Sequence, residues 1–301
     1  MPELPDIVVY IECLEPRIGR ARLDKATVFS PNLLKTYDPA LGQCAGRRVI
    51  GLRRIGKRIA IGLEGGLYLV LHLMIAGRLM WFNGAAQPPA RRGLAAFAFD
   101  TGILVLTEAG TKRRASLHVV SGEAGLAALD PGGLEVLSAD QDAFAARLGA
   151  ANHTLKRALT DSRVLSGIGN AYSDEILHRA RLSPVAMART LSETETARLY
   201  QATRAVLEAW TETLRAVTGA GFPKKVTAFH KGMAVHGRYR EPCPDCGTPV
   251  QRIVHGDNET NYCARCQTGG KLLAHRSLSR LLKKDWPGTV EELDALRGTA
   301  D

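Results

Sequence analysis

Apolar residues recur along the chain with two different spacings, and each spacing predicts a different kind of structure. In Ile7 to Ile18 they fall three and four residues apart, which predicts a helix with Pro2 and Glu3 at its start. From Leu23 to Leu106, short apolar runs alternate with Gly, Asn and Asp turns, which predicts hairpin-linked strands. The expected strands are Ala26–Phe29, Val49–Leu52, Ile59–Leu63, Leu67–Leu73, Arg78–Phe82, Ala95–Phe99 and Ile103–Leu106. Many short strands with tight turns favour a β-sandwich or barrel of about 110 to 130 residues.

The composition shifts around residues 130–133, Asp-Pro-Gly-Gly, and the pattern beyond them predicts helices. Asn170 is expected to be the N-cap of one helix, because its side chain can accept a hydrogen bond from a free backbone N–H. Ser192 and Glu195 form a capping-box pattern that opens the longest helix. The helices are expected to span 142–148, 154–162, 170–180 and 192–219. One apolar stripe of the longest helix is interpreted as core: Tyr200, Leu207, Trp210, Leu214 and Val217.

Four of the six cysteines give the most specific signal in the chain. Cys243-x2-Cys246 and Cys263-x2-Cys266 are two knuckles separated by sixteen residues, with a predicted β-hairpin between them. Two such knuckles place four thiolates tetrahedrally around Zn2+, and four sulfur ligands leave no position for water. The site is therefore expected to hold one structural zinc ion, whose binding folds a segment too small to be stable alone. The other two cysteines are expected to be unreactive thiols of the core.

Basic residues outnumber acidic ones, since 40 Lys and Arg against 30 Asp and Glu give a net charge of +10. The excess is concentrated in Arg47 to Arg58, which contains no acid, and in Gly221 to Asp285. Clustered basic charge indicates a polyanionic partner, nucleic acid or an acidic membrane surface, although a solvated basic face stays an alternative for the first block. The longest apolar run, Leu67 to Ile75, is too short to span a bilayer, and no secretory signal is visible. A cytoplasmic protein is expected.

The first residues carry candidate chemistry of their own. Removal of Met1 is expected because the next residue is small, and it leaves the nitrogen of Pro2 as a secondary amine with a pKa of roughly 8. Such an amine can attack a sugar carbon and become a charged iminium, which is an electron sink. Glu3 supplies a carboxyl group beside it for proton transfer. Taken alone, the two residues favour a simpler interpretation, a stiff chain start and a surface charge.

Three motifs follow one another in a fixed order. They are Pro2-Glu3-Leu4-Pro5, then Leu155-Lys156 with Gly167-Ile168-Gly169-Asn170-Ala171-Tyr172-Ser173-Asp174-Glu175, and last the four-cysteine finger. Jointly they resemble the formamidopyrimidine-DNA glycosylase / endonuclease VIII family over roughly residues 2 to 268. The resemblance implies an α+β multidomain protein with an N-terminal catalytic β-sandwich and flanking helix (1–130) and a helix–two-turn–helix DNA-binding domain (131–232). A C-terminal zinc-ribbon finger (233–270) and a basic helical tail (271–301) complete the expected organisation.

The resemblance also implies a reaction. The protein is expected to be a bifunctional DNA glycosylase and AP lyase of base excision repair, a monomer that binds double-stranded damaged DNA and flips the damaged nucleotide out of the stack. The nitrogen of Pro2 would attack C1′ of the deoxyribose, and Glu3 would be the general acid and base. The resulting Schiff base would allow β,δ-elimination of the strand. A bacterial-type cytoplasmic location at the nucleoid is expected.

Four further residues take their expected roles from the resemblance. Lys57 looks like the family's lysine of the β-domain that contacts a phosphate near the lesion, although it is also compatible with an ordinary residue of a basic hairpin. Asp6 stands where the family usually has Glu, and its shorter carboxylate is expected to make the same capping contacts. Lys156 and Asn170 resemble residues that hold phosphates in the helical domain. For Asn170 a capping role and a phosphate contact are compatible.

Several positions depart from the family pattern. Asn258 stands near the place of a finger Arg that grips phosphates, and a neutral amide cannot replace its bidentate charged contact. Ile75 stands where the family often has Met as a filler of the hole left by the flipped base. Arg113 and Arg114 stand where the family has an Arg-Phe wedge. The segment Phe222 to His236, which holds a longer lesion-capping loop in oxidised-purine enzymes, is short here.

Two other functions remain open at this stage. The first is a catalytically weakened relative that binds damaged DNA or abasic sites, because the finger and the filler residues are altered. The second is a zinc-ribbon nucleic-acid module with no preference for damage. Trapping on abasic-site DNA distinguishes the enzyme from the first, and equal affinity for intact and damaged duplex would support the second.

Overall fold

The computed structural model describes residues 1–84, 93–109, 112–150, 152–224, 230–256, 258–273 and 287–298. The chain divides into two compact units. The first unit contains Met1–Gly133 and Glu208–Thr227, and the second contains Leu134–Leu207 and Ala228–Asp301. Within the described ranges, no helix combines the length and the apolar character that a membrane crossing requires.

Antiparallel strands form the body of the first unit. They are β1 Leu23–Val28, β2 Val49–Ile55, β3 Arg58–Leu63, β4 Leu67–His72, β5 Gly77–Asn83, β6 Gly93–Phe99, β7 Gly102–Glu108 and β8 Ser116–Ser121. One four-stranded sheet has the order β1-β6-β7-β5, and the other has the order β2-β3-β4-β8. The predicted β-sandwich is confirmed, and each predicted strand is present within a few residues of its expected ends.

One apolar core joins the two sheets. Alternate side chains of β3 and β4 point into it, because successive side chains of a strand point to opposite faces. They meet alternate side chains of β7, and the core members from these three strands are Ile59, Ile61, Leu63, Leu67, Leu69, Leu71, Leu104 and Leu106. Cys44 belongs to the same core, whereas Cys13 is only half-buried. Burial raises the pKa of both thiols, so both are poor nucleophiles at neutral pH.

The first helix, α1, spans Leu4–Ile18 and begins three residues earlier than the periodicity indicated. Its start is set by a cap, because the backbone N–H of Glu3 donates to Oδ2 of Asp6 at 2.8 Å. Pro5 lies in the first turn, where a missing N–H has no helical partner to lose. The side chains that the helix buries completely are Leu4, Ile7, Tyr10, Leu14 and Ile18.

One strand and one α-helix of the first unit were not expected from the sequence. The strand β8 was missed because it offers only two inward apolar residues, Leu117 and Val119, after a run of basic residues. The short helix α2, Gly122–Ala127, follows it directly. Leu126 of this helix packs with Tyr68 and Val70 of β4, which lie on the outer face of the second sheet. Part of this outer face is therefore buried.

The helices of the second unit are close to those predicted. They are α3 Gln141–Gly149, α4 Leu155–Thr160, α5 Asn170–Arg179 and α6 Glu193–Thr218, of which the last continues into the first unit. The capping box at α6 is confirmed, since the N–H of Ser192 donates to Glu195 at 2.9 Å and the N–H of Glu195 donates to Ser192 at 3.2 Å. The expected apolar stripe is wrong at its end, because Val217 is 77% exposed.

Asn170 is not the N-cap that the sequence suggested. It is the first residue of α5, and Gly169 occupies the cap position. The side-chain amide of Asn170 instead donates to the backbone oxygen of Glu259 at 2.9 Å. The local capping preference is therefore overridden by a hydrogen bond to a strand far along the chain.

The finger region contains β9 Gln251–His255, β10 Asn258–Tyr262 and the short helix α7 Ala264–Thr268. The two strands pair antiparallel, so the predicted hairpin between the cysteine knuckles is confirmed. The predicted basic helical tail lies largely outside the described residues, in 274–286. Within this tail, Val290–Gly298 forms a helix, α8, with Glu291 and Glu292 in its first turn. Acidic residues at this end of a helix stabilise it.

Shortening a buried side chain of α1 tests how strongly this helix is held. Leu14→Ala leaves a cavity in the fully buried core and is expected to lower the free energy of unfolding by about 2–5 kcal/mol. The measurement is urea denaturation of the full chain. Val217→Ala, on an exposed helical position, is the matched control and should change the free energy by no more than about 0.5 kcal/mol. Equal effects of the two substitutions would contradict the packing described.

Candidate functional site

The start of the chain is buried in the first unit. Pro2 is buried, and Glu3 and Asp6 are only 1% and 6% exposed. Burial raises the pKa of Asp6 to about 7, even though the N–H of Glu3 donates to its carboxyl group. Two carboxyl groups and the chain terminus therefore share one site with little access to water. The capping contact expected for Asp6 is present.

Two cations also act on this site. Burial lowers the pKa of Lys57, and the charge of Glu3 opposes that shift. Burial likewise lowers the pKa of the amino terminus at Met1, which feels the charges of Glu3, Arg78, Asp6 and Lys57. The structure thus brings together Glu3, Asp6 and Lys57, which the sequence analysis selected, and adds Arg78. No sequence signal marks Arg78, because its proximity arises only when β5 folds against α1.

A tight turn positions Lys57. Gly56 and Lys57 are the two residues of the hairpin between β2 and β3, and Ile55 pairs with Arg58 directly below them. Gly56 has a φ of +57°, which a two-residue hairpin requires and which glycine adopts without strain. The turn holds the backbone of Lys57 at the end of the sheet.

The proposed filler residues lie on exposed connections of the first unit. Ile75 is 52% exposed and lies between β4 and β5. Arg113 and Arg114 are exposed in the connection between β7 and β8. The buried carboxylate of Glu108 accepts hydrogen bonds from the backbone N–H groups of Arg114, at 2.9 and 3.0 Å, and of Ala115, at 3.0 Å. This contact fixes the backbone beside the two arginines and leaves their side chains outward.

In the second unit, the two predicted phosphate-holding residues contact each other. Nζ of Lys156 donates to the backbone oxygen of Asn170 at 2.8 Å and to Oδ1 of Asp174 at 2.5 Å. Asp174 is completely buried, and the Lys156 side chain is 15% exposed. Lys156 therefore offers a small exposed part of an ammonium group whose charge is largely balanced by a buried carboxylate.

Asp174 and Glu175 organise the neighbouring backbone, a role that the sequence analysis missed. Oδ2 of Asp174 lies 2.7 Å from Nδ1 of His236 and accepts from the N–H of Asn261 at 3.1 Å. The carboxylate of Glu175 accepts from the N–H groups of residues 234, 235 and 236 at 2.7, 2.9 and 2.9 Å. One turn of α5 thus satisfies five polar groups of the finger region. Both acids lie in the Gly167–Glu175 motif, and this position was the sequence feature that could have marked them as functional.

The four predicted zinc ligands converge in the second unit. The Sγ atoms of Cys243, Cys246, Cys263 and Cys266 all lie within 4.8 Å of one another. The Sγ distances are 3.4 Å for Cys246 to Cys263 and 3.9 Å for Cys243 to Cys266. Tetrahedral Zn–S bonds of about 2.3 Å place the sulfurs about 3.8 Å apart, so the four thiols fit a zinc ion. With sulfur at every corner, the ion would be structural.

Asn258, expected near the position of the missing finger arginine, begins β10 and is exposed. Arg252, on the paired strand, forms an ion pair with Glu259 at 2.9 Å. Its guanidinium carbon also lies 4.2 Å from the ring centre of Tyr239. The finger hairpin therefore presents a neutral amide and an arginine that already has an anionic partner.

The amino-acid sequence matches three described domains in the same order as the motifs. Residues 1–115 match the formamidopyrimidine-DNA glycosylase N-terminal domain, residues 133–218 match its H2TH domain, and residues 240–269 match the zinc finger found in FPG and IleRS. The chain belongs to the formamidopyrimidine-DNA glycosylase family. Formamidopyrimidine-DNA glycosylase of Solibacter usitatus is 31% identical over 277 residues, covering 89% of this chain and 99% of that protein. That of Moorella thermoacetica is 34% identical over 265 residues, covering 84% and 94%.

Solved structures of this family have the same fold. The MutM (FPG) protein of Thermus thermophilus superposes with a TM-score of 0.73 at 31% identity, covering 88% of this chain and 98% of that one. The Lactococcus lactis Fpg in complex with DNA containing an abasic site superposes with a TM-score of 0.78 at 21% identity, covering 88% and 99%. The structural similarity covers most of this chain and includes residues of both units.

The raised pKa of Asp6 makes a testable contribution to stability. In the folded state this carboxyl group titrates near pH 7, whereas its ordinary pKa is 3.8, so the folded protein holds a proton that the unfolded chain lacks between about pH 4 and about pH 7. The contribution of this group to the free energy of unfolding is fully present below about pH 4 and is lost as the pH rises to about 7. Urea denaturation at several pH values is expected to show this fall in the wild type and its loss in Asp6→Asn.

The control for this experiment is Asp24→Asn, which changes an exposed aspartate of the same unit. Its stability curve should run parallel to that of the wild type over the same pH range. A curve for Asp6→Asn that is also parallel to the wild type would show that the Asp6 carboxyl group titrates at the same pH in the folded and unfolded states.

Proposed function

We propose that this protein is a bifunctional DNA glycosylase and AP lyase of base excision repair that removes oxidised bases from double-stranded DNA. Its membership of the glycosylase family supports the reaction class. The single observation that carries the proposal is the buried chain start, where Pro2 and Glu3 are both buried and the charge of Glu3 acts on Lys57. Once Met1 is removed, the nitrogen of Pro2 would be an amine next to the Glu3 carboxyl group at a buried site. Burial disfavours a protonated amine and leaves its lone pair available for nucleophilic attack.

The proposed reaction begins after removal of Met1. The nitrogen of Pro2 attacks C1′ of the flipped deoxyribose, and the bond from C1′ to the damaged base breaks. Glu3 gives its proton to the ring oxygen, which opens the sugar and leaves a charged iminium between C1′ and Pro2. Loss of the C2′ proton then breaks the C3′–O bond, and a second elimination breaks the C5′–O bond. Hydrolysis of the imine frees Pro2 for the next turnover.

The remaining predicted residues would bind the DNA. Lys57 would contact a phosphate near the lesion, and Asp6 would keep Glu3 oriented through the cap at the start of α1. Ile75, Arg113 and Arg114 would fill the space that the flipped base leaves. A further set would hold phosphates: Lys156, Asn170 and Asn258. One zinc ion bound by the four cysteines would stabilise the finger, and the protein would act as a monomer.

The two rival functions find less support. A zinc-ribbon module without damage preference would need only the finger, whereas the likeness to glycosylases covers most of the chain. A binder that had lost its chemistry is supported less well, because relatives matched over most of this chain are named formamidopyrimidine-DNA glycosylases. The enzyme is therefore the function that we propose.

Borohydride trapping on DNA with an abasic site tests the proposal directly. The iminium with Pro2 should be reduced to a covalent protein–DNA adduct, and Pro2→Gly should change its yield. Glu3→Gln should lower the rate of strand cleavage by about 10²–10⁴-fold, since it removes the proton donor. Glu15→Gln, on an exposed position of the same helix, should cleave at the wild-type rate. Absence of any adduct, with no effect of Pro2→Gly, would exclude the enzyme.

Salt dependence tests the phosphate contacts. The logarithm of the affinity for damaged duplex should fall linearly with the logarithm of the salt concentration, by about one power for each phosphate contact. Lys57→Ala, which removes the proposed phosphate contact near the lesion, should reduce that slope by about one, whereas Lys25→Ala, on an exposed strand position, should leave it unchanged. Fluorescence anisotropy at several salt concentrations measures both. A flat response would contradict DNA binding through phosphates, and equal affinity for intact duplex would favour the rival module.

A further inference from the structure

One histidine from outside the finger lies against the four-cysteine site. His178 belongs to the last turn of α5 and is only 4% exposed. Its Nε2 lies 3.2 Å from Sγ of Cys243, which is 65 residues further along the chain. No sequence motif relates the two residues, so their contact arises from the packing of α5 against the finger within the second unit.

Other thiols of the site have donors from within the finger. The backbone N–H of Cys266 donates to Sγ of Cys263 at 3.4 Å. The hydroxyl and the backbone N–H of Thr248 donate to Cys246. For Cys243 the corresponding partner that the structure shows is the ring of His178. The imidazole therefore takes a position that backbone and hydroxyl donors take at the neighbouring sulfurs.

Electrostatics explains why such donors matter. Four thiolates around Zn2+ carry two negative charges in excess, and Cys243 is buried, so water cannot offset them there. An N–H group that points at a thiolate sulfur stabilises its charge and fixes its orientation. A neutral imidazole with its proton on Nε2 supplies this group without adding a ligand.

His178 is poorly suited to be a ligand itself. It lies within 4.8 Å of Asp245 and Cys266, so a mixed site is conceivable from distances alone. The four cysteine sulfurs already supply the four corners of a tetrahedral zinc site. The Nε2 of His178 is therefore assigned a hydrogen bond to the ligand Cys243 rather than a bond to the metal.

We propose that His178 is a positioning residue for the zinc centre, whose Nε2–H donates to the thiolate of Cys243 and joins α5 to the finger. Retention of the metal then depends on a side chain that the finger does not contain. The proposal rests on the zinc site and not on the glycosylase chemistry, so its test uses no activity assay and stands apart from the outcome of the trapping experiment.

The test compares zinc retention in full-length variants challenged with a chromogenic chelator. His178→Phe keeps an aromatic ring but removes the donor, and it should weaken zinc binding by about 10–100-fold. His178→Gln keeps an N–H donor of similar reach and should recover most of this loss. His153→Phe is the matched control, because that ring lies beside the backbone oxygen of Asn152 and away from the site. It should retain zinc as the wild type does.

Substitution of zinc by Co2+ gives a second readout. The wild type should show the spectrum of four sulfur ligands, and the sulfur-to-cobalt charge-transfer band should shift in His178→Phe and return in His178→Gln. Wild-type zinc retention in His178→Phe would overturn the proposal. So would equal losses in the Phe and Gln variants, even if the Phe variant folds poorly, because only one of them lacks the donor. A cobalt spectrum with a nitrogen ligand in the wild type would also overturn it.

Discussion

Burial of one face of α1 is the constraint on which the candidate active site depends. Tyr10, Leu14 and Ile18 have no exposed surface and belong to the core that both sheets share. Each buried side chain of this size contributes about 1.5–3 kcal/mol, so the helix cannot shift along its axis without a large loss. The first turn, with Glu3 and Asp6, is thereby held in a place with little water. The same burial raises the pKa of Asp6, so the packing of the helix also sets the electrostatics of the chain start.

The second unit depends on a polar constraint instead. One side of α5 carries Asp174, Glu175 and His178, which face the finger region within a single turn of helix. The two carboxylates are buried, and buried carboxylates are tolerated only where several donors satisfy them. Glu175 meets this condition with backbone N–H groups, and Asp174 meets it with Lys156, His236 and Asn261. The helix α5 thus positions both Lys156 and the backbone of the finger region.

The sequence predicted the elements whose signals are local. Three features were predicted from signals that lie within a few residues of one another: the short apolar runs of β3 and β4, the Ser192–Glu195 capping box and the spacing of the cysteines. Prediction from the sequence failed where the interacting residues are far apart along the chain. Asn170 is a residue type that commonly caps helices, but its side-chain amide donates to the backbone oxygen of Glu259 instead. No feature of the local sequence predicts that Arg78 lies near the chain start, because strand register and helix packing bring it to that place.

The altered finger changes where basic charge is available in this protein. Arg252 of the hairpin is balanced by Glu259, and Asn258 carries no charge, so the described finger hairpin offers little net attraction for phosphate. In the basic block of the first unit, Arg53 is likewise balanced by Glu123.

In the same block, the side chain of Arg54 donates to the backbone oxygen of Gly56. This hydrogen bond orients the guanidinium group against the turn. Lys57 follows on the same turn, and burial rather than an acid in contact determines most of its shift in pKa. The β2–β3 hairpin thus places Lys57 where the charge of Glu3 acts on it, at the buried chain start, with the guanidinium group of Arg54 held against the same turn.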